Sequence, residues 1–246
     1  MDKLGVFYIC YKEKDAIHNS LNKFREFYPT APIYLVSDNG HDYSYLKDMF
    51  YNIETIKENT EVVGVARNCD EYVKINKNNN DLFMGIVVEF LRRLKNACDY
   101  CNTEYLILME PDVLVRGYLT MPEADLVGPT ANIMPLEIQN YIIQHGGKNN
   151  GSWGPSGGIM KVKSFNSVYE SVSDDPKKLY DALKLDPRMI CYDYLLAFLF
   201  SLYGFTYTNN PEETECIRNP FWKNSNHPIL HQYREHYNNN YEGKWK

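Results

Sequence analysis

Apolar positions in the first half of the chain alternate between continuous runs and stretches spaced three and four residues apart. Val6–Tyr11 and Ile33–Ser37 are continuous runs, the pattern of strands covered on both faces. Between them, Ala16–Phe27 puts Ile17, Leu21, Phe24 and Phe27 on one stripe, as a helix does, and Pro29 and Pro32 break the chain after it. Asp38-Asn39-Gly40 makes a turn at the end of the second run. Tyr45–Phe50 reads as a short helix, and Ile53–Ile56 and Glu61–Val65 as short extended pieces. Leu82–Cys98 is the clearest helix. Phe83, Ile86, Val87, Phe90, Leu91 and Leu94 form its apolar stripe, and Glu89, Arg92, Arg93 and Lys95 are expected on its solvated face. Tyr105–Met109 is a further apolar run that stops abruptly at Glu110-Pro111-Asp112, with Val113–Val115 continuing it.

Past Pro122 the pattern loosens. Gly146–Gly158 is rich in Gly, Asn and Ser, and Ile159–Val162 reads as a strand. Leu179–Leu185 and Cys191–Tyr203 read as helices, Phe205–Thr208 as a strand, and the chain from Asn209 onward shows no periodicity. No internal repeat or linker divides the sequence. The alternation of strand and helix signals predicts an α/β fold, a single domain with a mostly parallel central sheet flanked by helices.

Composition narrows the function. A net charge of −6 over 246 residues leaves no basic stripe with which to neutralise a run of phosphates, so a general nucleic-acid binder is excluded. The apolar run Tyr194–Phe205 is far shorter than the roughly 20 residues that span a bilayer. The opening residues lack a small-residue cleavage site. No transmembrane segment is expected, and a cytoplasmic protein is, bacterial or from a virus-infected host cell. The six cysteines include one C-x-x-C, Cys98 and Cys101, with no second pair at zinc spacing, and are expected as reduced thiols. The 21 Tyr and 11 Phe would suit stacking on sugars or bases, and would equally fill a core.

Four clusters carry candidate chemistry. Glu110 and Asp112, one residue apart at a strand's carboxyl end, can hold Mn²⁺ or Mg²⁺ and leave positions open for phosphate oxygens; acids there also cap turns. Asp193 heads an otherwise apolar helix, where it could serve as a general base or simply complement the helix dipole. Trp153-Gly154-Pro155-Ser156-Gly157-Gly158 would let backbone approach a ligand, with Trp153 stacking on a sugar face, or be a surface loop. His227 and His231 could add a metal ligand, or be surface residues.

Taken in order, these clusters resemble the GT-A-fold nucleotide-sugar-dependent glycosyltransferases, over nearly the whole chain. The matching motifs are the acid in Ile33-Tyr34-Leu35-Val36-Ser37-Asp38, the D-x-D-like Glu110-Pro111-Asp112, the pair Gly157-Gly158 before a strand, the acid-headed helix from Tyr192-Asp193 to Gly204-Phe205, and a C-terminal His. The resemblance implies a nucleotide-binding half, 1–115, and an acceptor-binding half with the tail, 116–246. It implies a metal-dependent glycosyltransferase of the hexosyl or deoxyhexosyl class, moving a sugar from a nucleotide-diphosphate sugar to a hydroxyl of a glycan or glycoconjugate. Asp38 would contact the nucleoside. Asp112 would be the main metal ligand, with Glu110 on the ribose or the metal's water shell. Gly157 and Gly158 would border the donor sugar and acceptor. Arg67, Arg92 or Arg93 could add positive charge near the phosphates, the last two being expected rather on the solvated helix face. Asp193 would be the base of an inverting reaction, and His231 the further metal ligand, ahead of His227. Glu110 replaces the first Asp of D-x-D, and Tyr192 stands where an acid is usual, which leaves a retaining course open. The alternatives are a non-catalytic carbohydrate-binding protein and a sugar-nucleotide nucleotidyltransferase. The latter is disfavoured because Tyr11-Lys12-Glu13-Lys14-Asp15 is not a glycine-rich loop.

Overall fold

The computed structural model of the protein describes residues 3–38, 40–59, 62, 69–76, 79–128, 132–153, 158–216, 219 and 221–233. β1 (Leu4–Cys10), α1 (Lys14–Phe27), β2 (Ile33–Asp38) and β3 (Ile53–Glu58) come first. The helices α2 (Cys69–Ile75) and α3 (Asn80–Cys101), then β4 (Tyr105–Met109) and the two-residue β5 (Leu114–Val115), complete the first half. The second half adds β6 (Leu126–Gly128), β7 (Asn132–Ile133), α4 (Leu136–Gln144), β8 (Ser152–Trp153), β9 (Ile159–Lys161), α5 (Val162–Asp174), α6 (Pro176–Leu185) and α7 (Tyr192–Leu202). It closes with β10 (Tyr207–Asn209), β11 (Glu213–Glu215) and β12 (Ile229–His231).

Seven strands form one sheet in the order β10-β6-β9-β4-β1-β2-β3. β3, β2, β1 and β4 pair in parallel, as do β6 and β10, and β9 runs antiparallel between β4 and β6. The expected mostly parallel α/β sheet is therefore present. Every residue of β1 and β4 is buried, because helices cover both faces. Side chains alternate across β1: Phe7 and Ile9 join Val87, Phe90 and Leu94 of α3. Val6, Tyr8 and Cys10 join Ile17, Leu21 and Phe24 of α1 on the opposite face. α3 begins where the Asn79 side chain accepts the Leu82 N–H at 3.2 Å, and ends at Asn102 in the left-handed region, φ 48°.

The parallel strands finish level with one another. Cys10 faces Ser37 across β1–β2, and Tyr8 faces Met109 across β1–β4. Because β9 runs the other way, it starts at this same carboxyl edge, with Ile159 opposite Ile107. A separate three-stranded sheet, β11-β12-β5, folds the tail back onto the segment that follows Glu110 and Asp112.

Candidate active site

The carboxyl edge collects the acids found in the sequence. Asp38 ends β2, and Glu110 and Asp112 form the turn after β4, where the Val113 N–H donates to the Glu110 carbonyl at 2.9 Å. β1 lies between them, so the two acidic groups stand two inter-strand gaps apart, roughly 10 Å. All three acids are buried, Asp38 at 2%, Glu110 at 8% and Asp112 at 5% exposure.

Asp38 is held from below. Its Oδ1 accepts from Arg93 Nη2 at 2.8 Å, and Arg93 Nε donates to Glu89 Oε1 at 2.9 Å. Arg92 in turn binds both Glu89 and Glu58. Arg92's hydrogen bonds, reinforced by Arg93's, hold the Glu89 carboxyl below its ordinary range. This corrects the sequence expectation for Arg93, which is only 1% exposed and not on the solvated face. Arg92 does stand at the surface, its side chain 42% exposed.

The loop after β1 is fixed by one side chain and by main chain. Glu13, itself buried, accepts the N–H groups of Tyr11 and Lys12 at 3.1 and 2.8 Å. The Tyr11 carbonyl accepts from the His41 N–H at 3.0 Å, and a Cβ on Gly40 would lie 2.0 Å from that oxygen. Only glycine lets the loop after Asp38 pass so close to β1. Glu13 was not singled out from the sequence, and Gly40 was read only as the end of an Asp-Asn-Gly turn.

The tail reaches the acidic turn through main chain. β12 pairs antiparallel with β5, and the Tyr233 N–H donates to the Asp112 carbonyl at 2.8 Å. Gln232 between them takes φ 55°, the left-handed region that costs a non-glycine residue strain. His231 is thus brought to the Asp112 segment; its Nδ1 lies 3.4 Å from Glu213 Oε1, both side chains buried. His227 sits further back, with Nδ1 3.1 Å from Ser225 Oγ and its carbonyl accepting from Arg116 Nε at 2.9 Å. Among the described residues no three His, Cys, Asp or Glu side chains are grouped to hold a metal ion.

Asp193 lies in the first turn of α7, half-buried, between two anchored rings. Tyr192 stacks on Phe90 of α3 at 5.1 Å, and Tyr194 stacks on Trp153 at 4.9 Å. The Tyr194 hydroxyl also donates to Asp186 Oδ2 at 3.1 Å, and burial, with the Asp186 charge second, pushes its pKa well up. Trp153 therefore has one ring face covered by Tyr194. Gly158 packs on main chain: its carbonyl accepts the Leu108 N–H at 2.9 Å, and a Cβ there would meet the Val127 carbonyl at 2.5 Å. Gly157 and Arg67 lie outside the described residues.

No protein-family model matches the chain, and no curated protein sequence matches it significantly. Its likeness is to solved structures. The galactosyltransferase LgtC, in complex with donor and acceptor sugar analogs, superposes with a TM-score of 0.50 at 11% identity, over 93% of this chain and 86% of that one. The fold is GT-A-like. Weaker likenesses are to the apo glycosyltransferase GlyE of Streptococcus pneumoniae, TM-score 0.48 at 11% identity over 94% of this chain and 55% of that one. Mouse xyloside xylosyltransferase 1 follows, TM-score 0.38 at 11% identity over 93% and 97%. In the GT-A-like frame the acids sit where open α/β sheets place ligands, outside the carboxyl ends of the strands. Among the described residues, no helix is long and apolar enough to cross a membrane.

Proposed function

We propose that this protein is a glycosyltransferase that moves a sugar from a nucleoside-diphosphate sugar to a hydroxyl of a glycan or glycoconjugate. The observation that carries the reading is the gathering of Asp38, Glu110 and Asp112 with the start of β9 at one edge of a GT-A-like sheet. LgtC, with that fold, holds donor and acceptor sugar analogs. Residues 1–115 form the nucleotide half and 116–246 the acceptor half.

The residues present suit a divalent cation. A hard Mg²⁺ or Mn²⁺ in such sites takes one or two carboxylates and completes its shell with water and phosphate oxygens, so a three-ligand cage is not required. Glu110 and Asp112 supply the carboxylates, and the β5–β12 pairing puts His231 on the adjoining strand. When bound, the ion neutralises charge on the departing diphosphate. The protein's own groups do the rest. Asp38, its Oδ1 fixed by Arg93, presents a carboxylate to the nucleoside. Gly158 and Trp153 border the donor sugar. Asp193, set between Tyr192 and Tyr194, takes the acceptor hydroxyl's proton as that oxygen attacks the anomeric carbon with inversion. The site is read as serving a cytoplasmic enzyme of glycan assembly.

The test is nucleotide-sugar turnover across UDP-, GDP-, dTDP- and CMP-linked donors with and without Mn²⁺, for wild type, Asp112→Asn and Asp193→Ala. Metal-dependent turnover by wild type alone, at unchanged melting temperature in the variants, is the expected result. Retained activity in Asp112→Asn would sink the metal assignment. No turnover and no donor-induced thermal shift in wild type would favour a carbohydrate-binding protein.

A further inference from the structure

A cleft of about 620 Å³ lies between the segment 120–124 and the segment 206–212, beside the outermost strand β10. Its volume falls in the class of small-molecule sites. Met121, Pro122, Val127 and Pro211 give it apolar walls. Thr120, Thr208 and Asn209, all exposed, supply uncharged hydrogen-bonding groups, and Glu123 and Glu212 supply two carboxylates. No Lys, Arg or His is among its described lining residues. That chemistry repels phosphate and sulfate and suits a hydroxyl-rich, uncharged ligand.

A second observation points to the same class. Just outside Thr120, Tyr118 is 73% exposed and sits edge-on to Phe27 and Tyr28 at 5.5 and 5.9 Å. The Tyr28 hydroxyl accepts the Leu119 N–H at 2.6 Å, and Phe24 stacks on Tyr28 at 5.0 Å, so this aromatic ridge is rigid and anchored in α1. An exposed ring braced by half-buried ones, beside neutral polar groups, matches the apolar face and hydroxyl rim of a sugar. The far end of the cleft leads back to the active edge. Buried Asn210 donates its N–H to the Gly128 carbonyl at 3.0 Å and accepts the Glu212 N–H at 3.1 Å, tying the cleft to the end of β6.

We propose that this cleft, with its Tyr118 ridge, is a subsite for an uncharged oligosaccharide, holding the part of the acceptor glycan remote from the attacked hydroxyl. The role as acceptor subsite rests on the transferase reading; the binding of an uncharged saccharide does not. Such a subsite would make longer neutral acceptors bind better than short ones without altering the donor site.

The experiment is saturation-transfer NMR on the full chain with neutral linear oligosaccharides of increasing length and with sulfated counterparts. Variants are Thr208→Trp, which fills the cleft from an exposed strand position, and Tyr118→Ala, which removes the ridge; melting curves check that both fold. Neutral saccharides should bind wild type, improve with length, be lost in Thr208→Trp and weaken about tenfold in Tyr118→Ala. The nucleoside-diphosphate thermal shift should stay unchanged in both. Absence of neutral-saccharide binding at millimolar concentration, preference for the sulfated forms, or equal binding in both variants overturns the subsite. Thr208-dependent binding in a protein that turns over no nucleotide-sugar leaves the cleft standing and fells the transferase reading alone.

Discussion

Replacing Arg93 with Met tests whether the ion pair beneath Asp38 organises the carboxyl edge. The pair spans 2.8 Å with side chains 1% and 2% exposed, so neither charge is solvated by bulk water. Removing one partner of a buried pair leaves the other charge in a low-dielectric setting and costs roughly 3–5 kcal/mol. The Arg93–Glu89 contact adds little, because the Glu89 side chain is 22% exposed and keeps Arg92. At about 2–4 °C per kcal/mol for a chain of this size, Arg93→Met should melt about 6–20 °C below wild type. Met fills similar volume, so lost packing contributes a small part. Asp38→Asn removes the other charge, and the double variant should be more stable than the summed single losses predict, by about 2 kcal/mol or more. Urea unfolding followed by circular dichroism, with slopes compared across the cycle, measures this directly. Additive losses, or an Arg93→Met cost below about 1 kcal/mol, would refute the view that Asp38 depends on this guanidinium.

Two glycines should respond in opposite directions. Gly85, exposed inside α3 with nothing within 4 Å of an added Cβ, should gain about 0.5–1 kcal/mol on substitution by Ala. Gly158→Ala, with a Cβ 2.5 Å from the Val127 carbonyl, should lose stability and disturb the β9–β6 pairing; calorimetry on both separates the effects. Tyr194→Phe removes the hydroxyl bonded to Asp186 and should cost about 1–2 kcal/mol in denaturant titration while preserving the Trp153 stack, which near-ultraviolet dichroism follows. Burial pushes the Cys101 thiol up to about 12 from an ordinary 9. The raised value means its contribution is complete below pH 9 and falls as pH climbs toward 12, since the unfolded chain loses the proton first. Cys101→Ala should therefore show a shallower stability loss than wild type between pH 9 and 11, and equal slopes would contradict the assignment.

The strands β1, β2 and β4 were legible because a strand covered on both faces is apolar at every position, and no other element of that length is. Ile159–Val162 was read as one strand, whereas the strand stops at Lys161 and α5 starts at Val162. Val162, Phe165, Val168 and Val172 do line one face of that helix, but Ser164, Asn166, Ser167, Ser171 and Ser173 are weak helix formers and hid the period. β11 and β12 were invisible for a different reason. Three residues each carry too little local preference, and their pairing is set by partners that can lie more than a hundred residues away, as with Leu230 opposite Leu114. The piece expected over 61–65 falls, Val62 apart, outside the described residues.

The placement of Arg93 was within reach of the periodicity. On a helix, positions 86, 90, 93 and 97 form one row at spacings of four, three and four, and its other members are Ile86, Phe90 and Ala97. Arg92 falls on the row of Glu89 and Lys95, which is only partly covered, and the exposures of 1% and 42% follow from that single step of register. A guanidinium on an apolar row must be given a carboxylate by whatever packs there, because burial of a lone charge is prohibitive. α3 lies across β1 and β2, and the acid at the end of β2 is Asp38. The same reasoning separates the two acidic groups at the edge. Asp38 has a cation supplied by the fold, which fixes the carboxylate's orientation. Glu110 and Asp112 sit in a turn whose carbonyls accept main-chain bonds from Val113 and Tyr233. Under the proposed function, substitution in the turn should change turnover, and substitution of Asp38 should also cost stability, because it removes the carboxylate facing the buried Arg93.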